Sequence, residues 1–358
     1  MNPFNRSIQI DEATKKLLFD EFKTLLAQQM FDLTVSGGHP NANRFNESLR
    51  NGPGVSWNVK ALGVDLAARY YGDVAASRKA QLFDPFRISW RPTRFEDFLQ
   101  DWFISTCDDL RIAPVLHRKL WEETYIVNVF RTLGKLAPGM RGIVFGVGEE
   151  RLPSLFAAAG ADILASDLAP DSDAARSWIE TRQHGALERI FFEHLVTRDR
   201  FNAAVSFRHI DMNDIPSDLD GQFDFCWSTC AFEHLGSIAK GLAFVERTGR
   251  LLKSGGVAVH TTEFNYTSDG ETIDNWPTVL FRRSDFEQLA DRLRSADYLV
   301  PEVEFAVGST PVDFFVDVPP YHWDHGRGYY QSELDALHLK LMVDGFPATC
   351  YGVVFQKA

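Results

Sequence analysis

Cysteine is scarce in this sequence and is never paired at metal-binding spacing. The four cysteines are far apart except for one pair four positions apart, and they are Cys107, Cys226, Cys230 and Cys350. This usage excludes a disulfide framework and a zinc knuckle, and it favours reduced thiols. The sequence also lacks the run of about 18 apolar residues that a membrane span needs, and no signal-peptide pattern opens the chain. We therefore expect a cytoplasmic protein with no membrane span.

Basic residues are also fewer than acidic residues in this sequence. The 358 residues include 37 Lys and Arg against 49 Asp and Glu, which gives a formal net charge of -12 at pH 7. Proteins that bind nucleic acid usually present a basic face to the phosphates. We therefore expect no nucleic-acid partner and favour a small-molecule ligand.

The first third of the chain has helical periodicity. Apolar residues recur at helical spacing over 11–33 and 59–79, and an aromatic-rich stretch covers 83–114. We predict a helical N-terminal region over 1–118, which either caps the substrate site or forms the contact of a homo-oligomer. The aromatic stretch is interpreted as the core of this region or, alternatively, as a wall that faces the substrate.

Beyond residue 119, short apolar strands alternate with helical stretches. Strands are predicted at 142–146, 162–166, 205–210, 223–227, 256–261, 337–343 and 348–355. This alternation is typical of a parallel sheet covered by helices, and Asp344-Gly345 predicts an antiparallel hairpin at the end. The predicted fold class is α/β. It is a Rossmann-like, seven-stranded, mostly parallel sheet over 119–358, with an insertion near 264–335.

The first predicted strand ends in a glycine turn. Gly146 and Gly148 stand where a strand must bend tightly into a helix and let a ligand approach the backbone. Pro153 follows where that helix begins. Because GxG pairs are common, an ordinary tight turn explains these residues equally well on their own.

Acidic residues end the next two strands. Asp167 follows Gly148 by nineteen positions, where a carboxylate can accept hydrogen bonds from ribose hydroxyls. Asp211 and Met212 end the third strand, where an acid can accept from an adenine amine and a thioether can lie on a purine face. Helix capping and turn formation are the alternative explanations of these acids.

Taken in order, these motifs resemble those of the class I S-adenosylmethionine-dependent methyltransferases. The resemblance covers residues 120–358 and includes the segments at 223–228, 232–235 and 251–256 around the fourth and fifth strands. More narrowly, 205–213 and 257–265 are similar to bacterial methyltransferases of glycan or secondary-metabolite tailoring. The resemblance implies S-adenosylmethionine as cofactor. It also implies a small or medium-sized acceptor, such as a sugar, glycolipid or secondary metabolite, with O-methylation favoured.

The resemblance further implies which residues bind the cofactor. They are Phe145, Gly146, Val147, Gly148, Glu149, Glu150, Asp167, Leu168, Asp211, Met212, Asn213, Ser228 and Thr229. Two positions depart from the family pattern, since Val144 replaces an acid and Glu150 replaces the third glycine. Glu149 or Glu150 is therefore predicted to hold the amino group of the methionine part, unless both are simply acids favoured at a helix start.

Methyl transfer from a sulfonium mainly requires alignment, and a base is needed for a hydroxyl or ammonium acceptor. His234, after the fourth strand, is the first candidate base, because imidazole titrates near neutral pH. His260 and Glu263, at the end of the fifth strand, are the second candidates. The alternative for His234 is a hydrogen-bonded packing role.

A loop rich in aromatic and histidine residues precedes the terminal hairpin. Tyr321, His322 and His325 are predicted to contact the substrate, with a solvated loop as the alternative. The pairs His260 with Glu263 and His322 with His325 each offer two ligands at most. With no HExxH or paired-cysteine spacing, we predict no metal site.

Two other classes of protein are compatible with the sequence. An NAD(P)-dependent oxidoreductase also needs a glycine turn and an acid about twenty residues later, but it normally has a glycine where this chain has Arg151. A non-catalytic Rossmann-like binding or scaffold protein is the other class, which Val144 in place of the usual acid permits. Binding of S-adenosylhomocysteine, tested against binding of NAD(H), separates these readings.

Overall fold

The computed structural model describes residues 14, 16–17, 19–25, 35–36, 39–40, 52–77, 86–171, 185–319, 321 and 337–358. The chain divides into two compact units, Met1–Val59 and Lys60–Ala358. In the first unit, residues 14, 16–17 and 19–25 are helical, and Val35–Ser36 (β1) pairs antiparallel with His39–Pro40 (β2). The predicted substrate residues His322 and His325 lie outside the described residues.

Most of the helices cover the sheet of the second unit. The α-helices are Gly52–Ser77 (α1), Asp101–Leu110 (α2), Arg118–Thr132 (α3), Leu152–Ala158 (α4), Arg198–Ala204 (α5), Ile238–Thr248 (α6), Arg283–Ser295 (α7) and Pro311–Phe314 (α8). Short 3-10 helices lie at Phe95–Leu99, Leu187–Ile190, Ser217–Leu219, Phe232–His234 and Gly249–Leu251. The first turn of a helix has N–H groups without helical partners, so caps matter there. Thr197 caps α5 and Ser237 caps α6 through their hydroxyl oxygens, and Pro153 stands in the first turn of α4, as predicted.

The second unit contains a nine-stranded sheet. Its strands are Arg91–Pro92 (β3), Arg141–Phe145 (β4), Asp162–Asp167 (β5), Val205–His209 (β6), Phe223–Thr229 (β7), Leu252–Asn265 (β8), Tyr298–Leu299 (β9), Leu341–Val343 (β10) and Phe346–Lys357 (β11). The order is β10-β11-β8-β7-β4-β5-β6, and β3 and β9 also pair with β11. Strands β4 to β8 pair with one another in parallel, whereas β11 pairs antiparallel with β8.

This topology confirms the predicted α/β class with its mostly parallel sheet and terminal antiparallel hairpin. The sheet has two more strands than predicted, because β3 and β9 are two residues long and leave no periodic signal. The chain runs from β4 outward to β6 and returns to β7 on the other side of β4. Ligands of open α/β sheets bind at such a reversal, so the topology directs attention to the ends of β4 and β7.

The central strands consist of consecutive apolar residues, as is usual for parallel strands that are buried on both faces. Ile143, Val144 and Phe145 in β4 are fully buried, which explains the continuous apolar run read from the sequence. Helix α3 packs closely on β11. A Cβ on Gly352 would lie 2.4 Å from the ring of Tyr125, so the absence of a side chain at this position allows that approach.

The terminal hairpin forms as its turn residues predict. Asp344 and Gly345 have φ angles of 44° and 91°, and Val343 pairs with Phe346 across them. Two consecutive residues with positive φ are the signature of a two-residue hairpin turn, which Asp-Gly adopts readily. The strand β10 begins at Leu341, later than the predicted 337.

The aromatic stretch belongs to the core of the α/β unit. Trp90, Phe95, Phe98 and Phe103 are at most 1% exposed and join the cluster that contains the sheet residues. Since β3 also pairs with β11, this segment lies with the sheet. The two compact units meet between residues 59 and 60, earlier in the chain than the domain boundary predicted between residues 118 and 119. None of the described helices is long and apolar enough to cross a bilayer.

Candidate active site

A cavity of about 700 Å³ lies at the carboxyl ends of β4, β5, β6 and β7. This is the position expected of a ligand site in an open α/β sheet. The cavity is lined by Arg118, Lys119, Gly146, Val147, Gly148, Glu149, Glu150, Asp167, Leu168, Ile210, Asp211, Met212, Asn213, Thr229, Cys230, Ala231, His234, Leu235, Glu263 and Thr278. The fold therefore brings together segments that are up to 160 positions apart in the chain, from residue 118 to residue 278.

All the predicted cofactor residues except Phe145 and Ser228 line this cavity. Those two are fully buried, and neither lines the cavity. Phe145 packs edge-on against Phe244 at 5.4 Å between ring centroids, and the Ser228 hydroxyl lies 2.8 Å from Nδ1 of His260. Both side chains point into the core because strand residues alternate between faces, and sequence spacing alone does not fix which face meets the ligand.

The glycine turn needs its glycines for two reasons. Gly146 and Gly148 have φ angles of +60° and +52°, in the left-handed region that other residues avoid. In addition, a Cβ on Gly146 would lie 2.8 Å from the Cβ of Ala231 in the loop after β7. The turn therefore leaves bare backbone at the cavity, which suits close contact with a ligand.

Asp167 fixes the shape of this turn. Its Oδ2 accepts hydrogen bonds from the N–H groups of Gly148 (3.0 Å) and Gly185 (2.8 Å), and its Oδ1 accepts from Leu168 N–H (2.8 Å). A Cβ on Gly185 would come within 2.6 Å of Oδ2, so a second glycine is needed for this contact. The sequence prediction found Asp167 and missed Gly185, because nothing in local spacing links position 185 to the turn.

Replacing Asp167 with Ala should lower the free energy of unfolding by about 2 kcal/mol, since hydrogen bonds to a charged acceptor contribute about 1.5–3 kcal/mol each and water in the cavity can replace some of them. Urea denaturation measures the change. Asp162→Ala is the matched control, because Asp162 begins the same strand with an exposed side chain and should change stability by less than about 0.5 kcal/mol. Equal effects of the two changes would contradict the assigned role of Asp167.

The two acids after the turn behave differently. Glu149 is exposed and forms a surface ion pair with Arg189 at 2.6 Å. Glu150 is partly buried, and its two carboxylate oxygens accept hydrogen bonds from the Trp227 indole N–H and the Thr229 hydroxyl, both at 2.7 Å. Burial raises the pKa of Glu150 to about 8 despite these two donors. Of the two candidates for an amino-group partner, Glu150 has the fixed geometry.

The loop after β6 supplies one polar and one apolar contact to the cavity. Asp211 is exposed and accepts a hydrogen bond from Asn213 N–H at 2.8 Å through Oδ1. Met212 is nearly buried, and its sulfur lies 3.6 Å from the position that a Cβ on Gly146 would occupy. This pairing of an acid with a thioether beside the glycine turn suits a flat heterocycle with an exocyclic amine.

His260 is not part of the cavity, contrary to the prediction. Its ring is fully buried between Ser228 (2.8 Å to Nδ1) and Thr248 (3.0 Å to Nε2). Burial lowers the pKa of His260 to about 3, so the ring is a neutral core group that joins two hydroxyls. The strand position was correct, but the side chain faces the helices rather than the ligand.

His234 and Glu263 do line the cavity, as predicted. Nδ1 of His234 lies 3.0 Å from the Thr278 hydroxyl and 3.3 Å from the Pro277 carbonyl oxygen. Because a carbonyl can only accept, the contact with Pro277 places the ring proton on Nδ1 and leaves a lone pair on Nε2. The loop at 277–278 thus sets the orientation and tautomer of His234.

Arg118 and Lys119 were missed by the sequence prediction. They are the first residues of α3, and Arg118 forms a buried ion pair with Glu263, at 2.7 Å from Nη1 to Oε1. Burial lowers the pKa of Arg118, but the surrounding acidic groups together outweigh burial and raise this pKa well above its ordinary value; Glu263 contributes most, followed by Cys350, Cys230 and Glu122. The helical period of α3 was visible in the sequence, whereas the side of the helix that reaches the cavity depends on its docking to the sheet.

Tyr321 is the one predicted substrate residue within the described part of the chain, and it does not line the cavity. Its hydroxyl donates to the Met342 carbonyl, and its ring lies 5.4 Å from that of His338. It therefore packs beside β10 instead of facing the glycine turn.

Residues 143–260, which contain the glycine turn, Asp167 and His234, match the family model described as a methyltransferase domain. No curated protein matches the chain in sequence. Among solved structures, the chain is similar to a protein assigned as a sarcosine dimethylglycine methyltransferase from Galdieria sulphuraria (17% identity, TM-score 0.42, 81% of this chain and 97% of that one). It is also similar to a 1,6-didemethyltoxoflavin-N1-methyltransferase from Burkholderia thailandensis with bound 1,6-didemethyltoxoflavin and S-adenosylhomocysteine (15%, 0.38, 77% and 93%). A third is an S-adenosylmethionine dependent methyltransferase from Mesorhizobium loti (14%, 0.35, 64% and 96%).

Proposed function

Since this chain is a class I S-adenosylmethionine-dependent methyltransferase, we propose that it methylates a hydroxyl group on a small or medium-sized acceptor. A sugar, a glycolipid or a secondary metabolite is the proposed acceptor class. The observation that carries the proposal is the position of His234, which shares one cavity with the glycine turn and with Asp167. A hydroxyl must lose its proton as the methyl group arrives, and a positioned imidazole is suited to accept it.

The size of the cavity supports a small acceptor. At about 700 Å³ it falls within the roughly 300–1,000 Å³ usual for small-molecule sites, which are concave and bury most of the ligand. The net charge of -12 also disfavours a nucleic-acid polymer as substrate. Both observations favour an acceptor that enters the cavity rather than one that lies across it.

The residues of the site fit the cofactor. We assign the adenosine part to Asp167, Asp211 and Met212, and the methionine part to the bare backbone of Gly146 and to Glu150. S-adenosylmethionine supplies a methyl group on a positively charged sulfur, which leaves with the bonding electrons. The Glu150 carboxylate, held by Trp227 and Thr229, is the assigned partner of the methionine ammonium.

His234 is the proposed general base. With its proton on Nδ1, the ring presents the Nε2 lone pair to accept the proton of the acceptor hydroxyl. Oε1 of Glu233 lies 3.9 Å from this same Nε2, where an ionised carboxylate would stabilise the imidazolium that forms. Thr278 and Pro277 hold the ring in place, so the chain mainly contributes alignment and a proton acceptor.

A binding titration tests the cofactor assignment. S-adenosylhomocysteine should bind with a Kd in the micromolar range or below, and NAD(H) should not bind, as measured by isothermal titration calorimetry. Asp167→Ala should weaken binding at least about tenfold, which corresponds to a loss of about 1.4 kcal/mol. Unchanged affinity in this variant would remove Asp167 from the site. Methyl transfer to hydroxyl acceptors, but not to the matching deoxy compounds, tests O-methylation.

Binding of the cofactor should release a proton near pH 7. Because the pKa of Glu150 is raised to about 8, its carboxyl is mostly protonated in the free protein below that pH. An ammonium beside it favours the carboxylate, so binding drives the proton off. Calorimetry at pH 7 in two buffers with different ionisation enthalpies measures the release, which should approach one proton and disappear in Glu150→Gln. Release of equal size in this variant would assign the proton to another group.

A further inference from the structure

The wall of the cavity near the ends of β7 and β8 contains a cluster of potential metal ligands that are distant from one another in the chain. Cys230, Glu233 and Glu263 each place one ligand atom within 4.8 Å of those of the other two. Cys230 and Glu263 line the cavity, and Glu233 is fully buried beside them. The cluster joins the loop after β7 to the end of β8, which explains why no spacing motif revealed it.

Two carboxylate oxygens of this cluster have no hydrogen-bond partner in the described part of the chain. Oε1 of Glu233 and Oε2 of Glu263 are buried and accept no hydrogen bond, although the other oxygen of each has a partner. Oε1 of Glu233 lies 3.9 Å from Nε2 of His234, beyond hydrogen-bond distance. Oε2 of Glu233 accepts from the Thr262 hydroxyl at 2.9 Å, and Oε1 of Glu263 pairs with Arg118 at 2.7 Å. Leaving a buried carboxylate oxygen unsatisfied costs about 1–3 kcal/mol or more, so these atoms mark the place of a missing partner.

The charges around the cluster favour a cation. Arg118 pairs with Glu263 and Glu122, and Lys119 pairs with Glu122, whereas Glu233 lies 3.9 Å from the ring of His234. When all three carboxyl groups are ionised, as metal binding requires, they exceed Arg118 and Lys119 by one negative charge. A divalent cation bound to a Cys230 thiolate would bring the group to neutrality, and the thiol proton would leave to solvent on binding. Arg118 lies 3.9 Å from the Cys230 sulfur. Burial, with the neighbouring Cys350, raises the pKa of this thiol well above its ordinary value, so the thiol keeps its proton until a metal displaces it.

The backbone also holds Cys230 in an unusual position. Its φ angle is +44°, and its N–H donates both to the Thr261 carbonyl (3.0 Å) and to the Thr261 hydroxyl (3.2 Å). A non-glycine residue stays in the left-handed region only when its surroundings fix it there. In this fixed conformation the thiol donates to Oε1 of Glu122 at 3.3 Å, and its sulfur also lies within 4.8 Å of a carboxylate oxygen of Glu233 and of Glu263.

We infer that Cys230, Glu233 and Glu263 bind a divalent cation of the zinc type at the wall of the cavity. Sulfur with two carboxylate oxygens is a ligand set that Zn²⁺ accepts, whereas Mg²⁺ and Ca²⁺ prefer oxygen alone. Three protein ligands leave a fourth position, as in zinc sites that bind a substrate or water. If the proposed O-methylation is correct, that position takes the acceptor oxygen, and this role alone rests on the proposed function.

Metal binding can be measured without methyl transfer. The purified protein, stripped with a chelator and dialysed, should bind one equivalent of Zn²⁺ as measured by elemental analysis. Co²⁺ should replace it and give a thiolate-to-cobalt charge-transfer absorption. Cys230→Ser should abolish that absorption, and Glu233→Gln should weaken Zn²⁺ binding at least about 10–100-fold. Absence of stoichiometric metal in the native protein would overturn the inference.

Two matched variants make the result specific. Cys350→Ser changes the neighbouring thiol, whose sulfur lies 3.8 Å from that of Cys230 and 2.7 Å from Glu122, and it should retain the cobalt absorption. Loss of the absorption in Cys350→Ser would instead place the metal between Glu122 and the two cysteines, against the inference. Cys226→Ser, a buried change outside both groups, should behave as the native protein. Thermal melting of every variant separates loss of metal from loss of fold, and S-adenosylhomocysteine binding reports the cofactor site independently.

Discussion

Arg118→Met should lower the free energy of unfolding by about 3–5 kcal/mol, the cost typical of removing one partner of a buried ion pair. The Arg118 side chain is 8% exposed, and its Nη1 lies 2.7 Å from Glu263 and 4.0 Å from Glu122. Methionine has a similar volume but no charge, so both carboxylates lose a nearby cation in a place that water barely reaches. Urea denaturation monitored by circular dichroism measures the change.

A control on the same helix separates burial from charge. Arg131 pairs with Asp109 at 2.6 Å, but the two side chains are 42% and 48% exposed. Exposed pairs of this kind contribute about 0–1 kcal/mol, so Arg131→Met should have a small effect. The double variant Arg118→Met with Glu263→Gln should recover part of the stability lost in Arg118→Met, because the uncompensated charge is then removed as well. Similar losses at both arginines would show that the Arg118 ion pair is not specially stabilising.

The parts of the site that could be predicted from the sequence are local in the chain. Gly146 and Gly148 follow an apolar run and precede a proline at a helix start, so strand, turn and helix are all visible within about fifteen residues. Asp167 and Asp211 end the next two runs, and parallel strands bring their carboxyl ends to one edge. The Asp344-Gly345 turn is equally local, and the structure confirms it.

The parts that could not be predicted depend on packing between distant segments. His260 and Glu263 are three positions apart on β8, yet one is fully buried between two hydroxyls and the other lines the cavity. Which of them faces the ligand depends on the sheet and the helices that cover it. Arg118 reaches the site because α3 docks on the sheet, and Cys350 approaches Cys230 because β11 inserts beside β8. Neither contact has a signature in spacing.

His234→Ala should reduce kcat for hydroxyl methylation by about 10²–10⁴, the contribution usual for a positioned acid or base. The ring is oriented through Nδ1 by Thr278 and Pro277, and no other histidine lines the cavity among the described residues. The affinity for S-adenosylhomocysteine should stay within about threefold of the native value, since a base that acts only on the acceptor proton does not hold the cofactor. Formation of S-adenosylhomocysteine from a saturating acceptor measures kcat.

The split between kcat and binding distinguishes a base from a packing residue. If His234 only filled space, its removal would loosen the loop at 277–278 and weaken ligand binding and thermal stability together with the rate. A base instead affects kcat while the melting temperature and cofactor Kd stay near those of the native protein. His194→Ala, a change at an exposed histidine outside the cavity, should leave all three quantities unchanged. A fall in kcat of less than about fivefold in His234→Ala would contradict the proposed role, because general bases contribute far more than this.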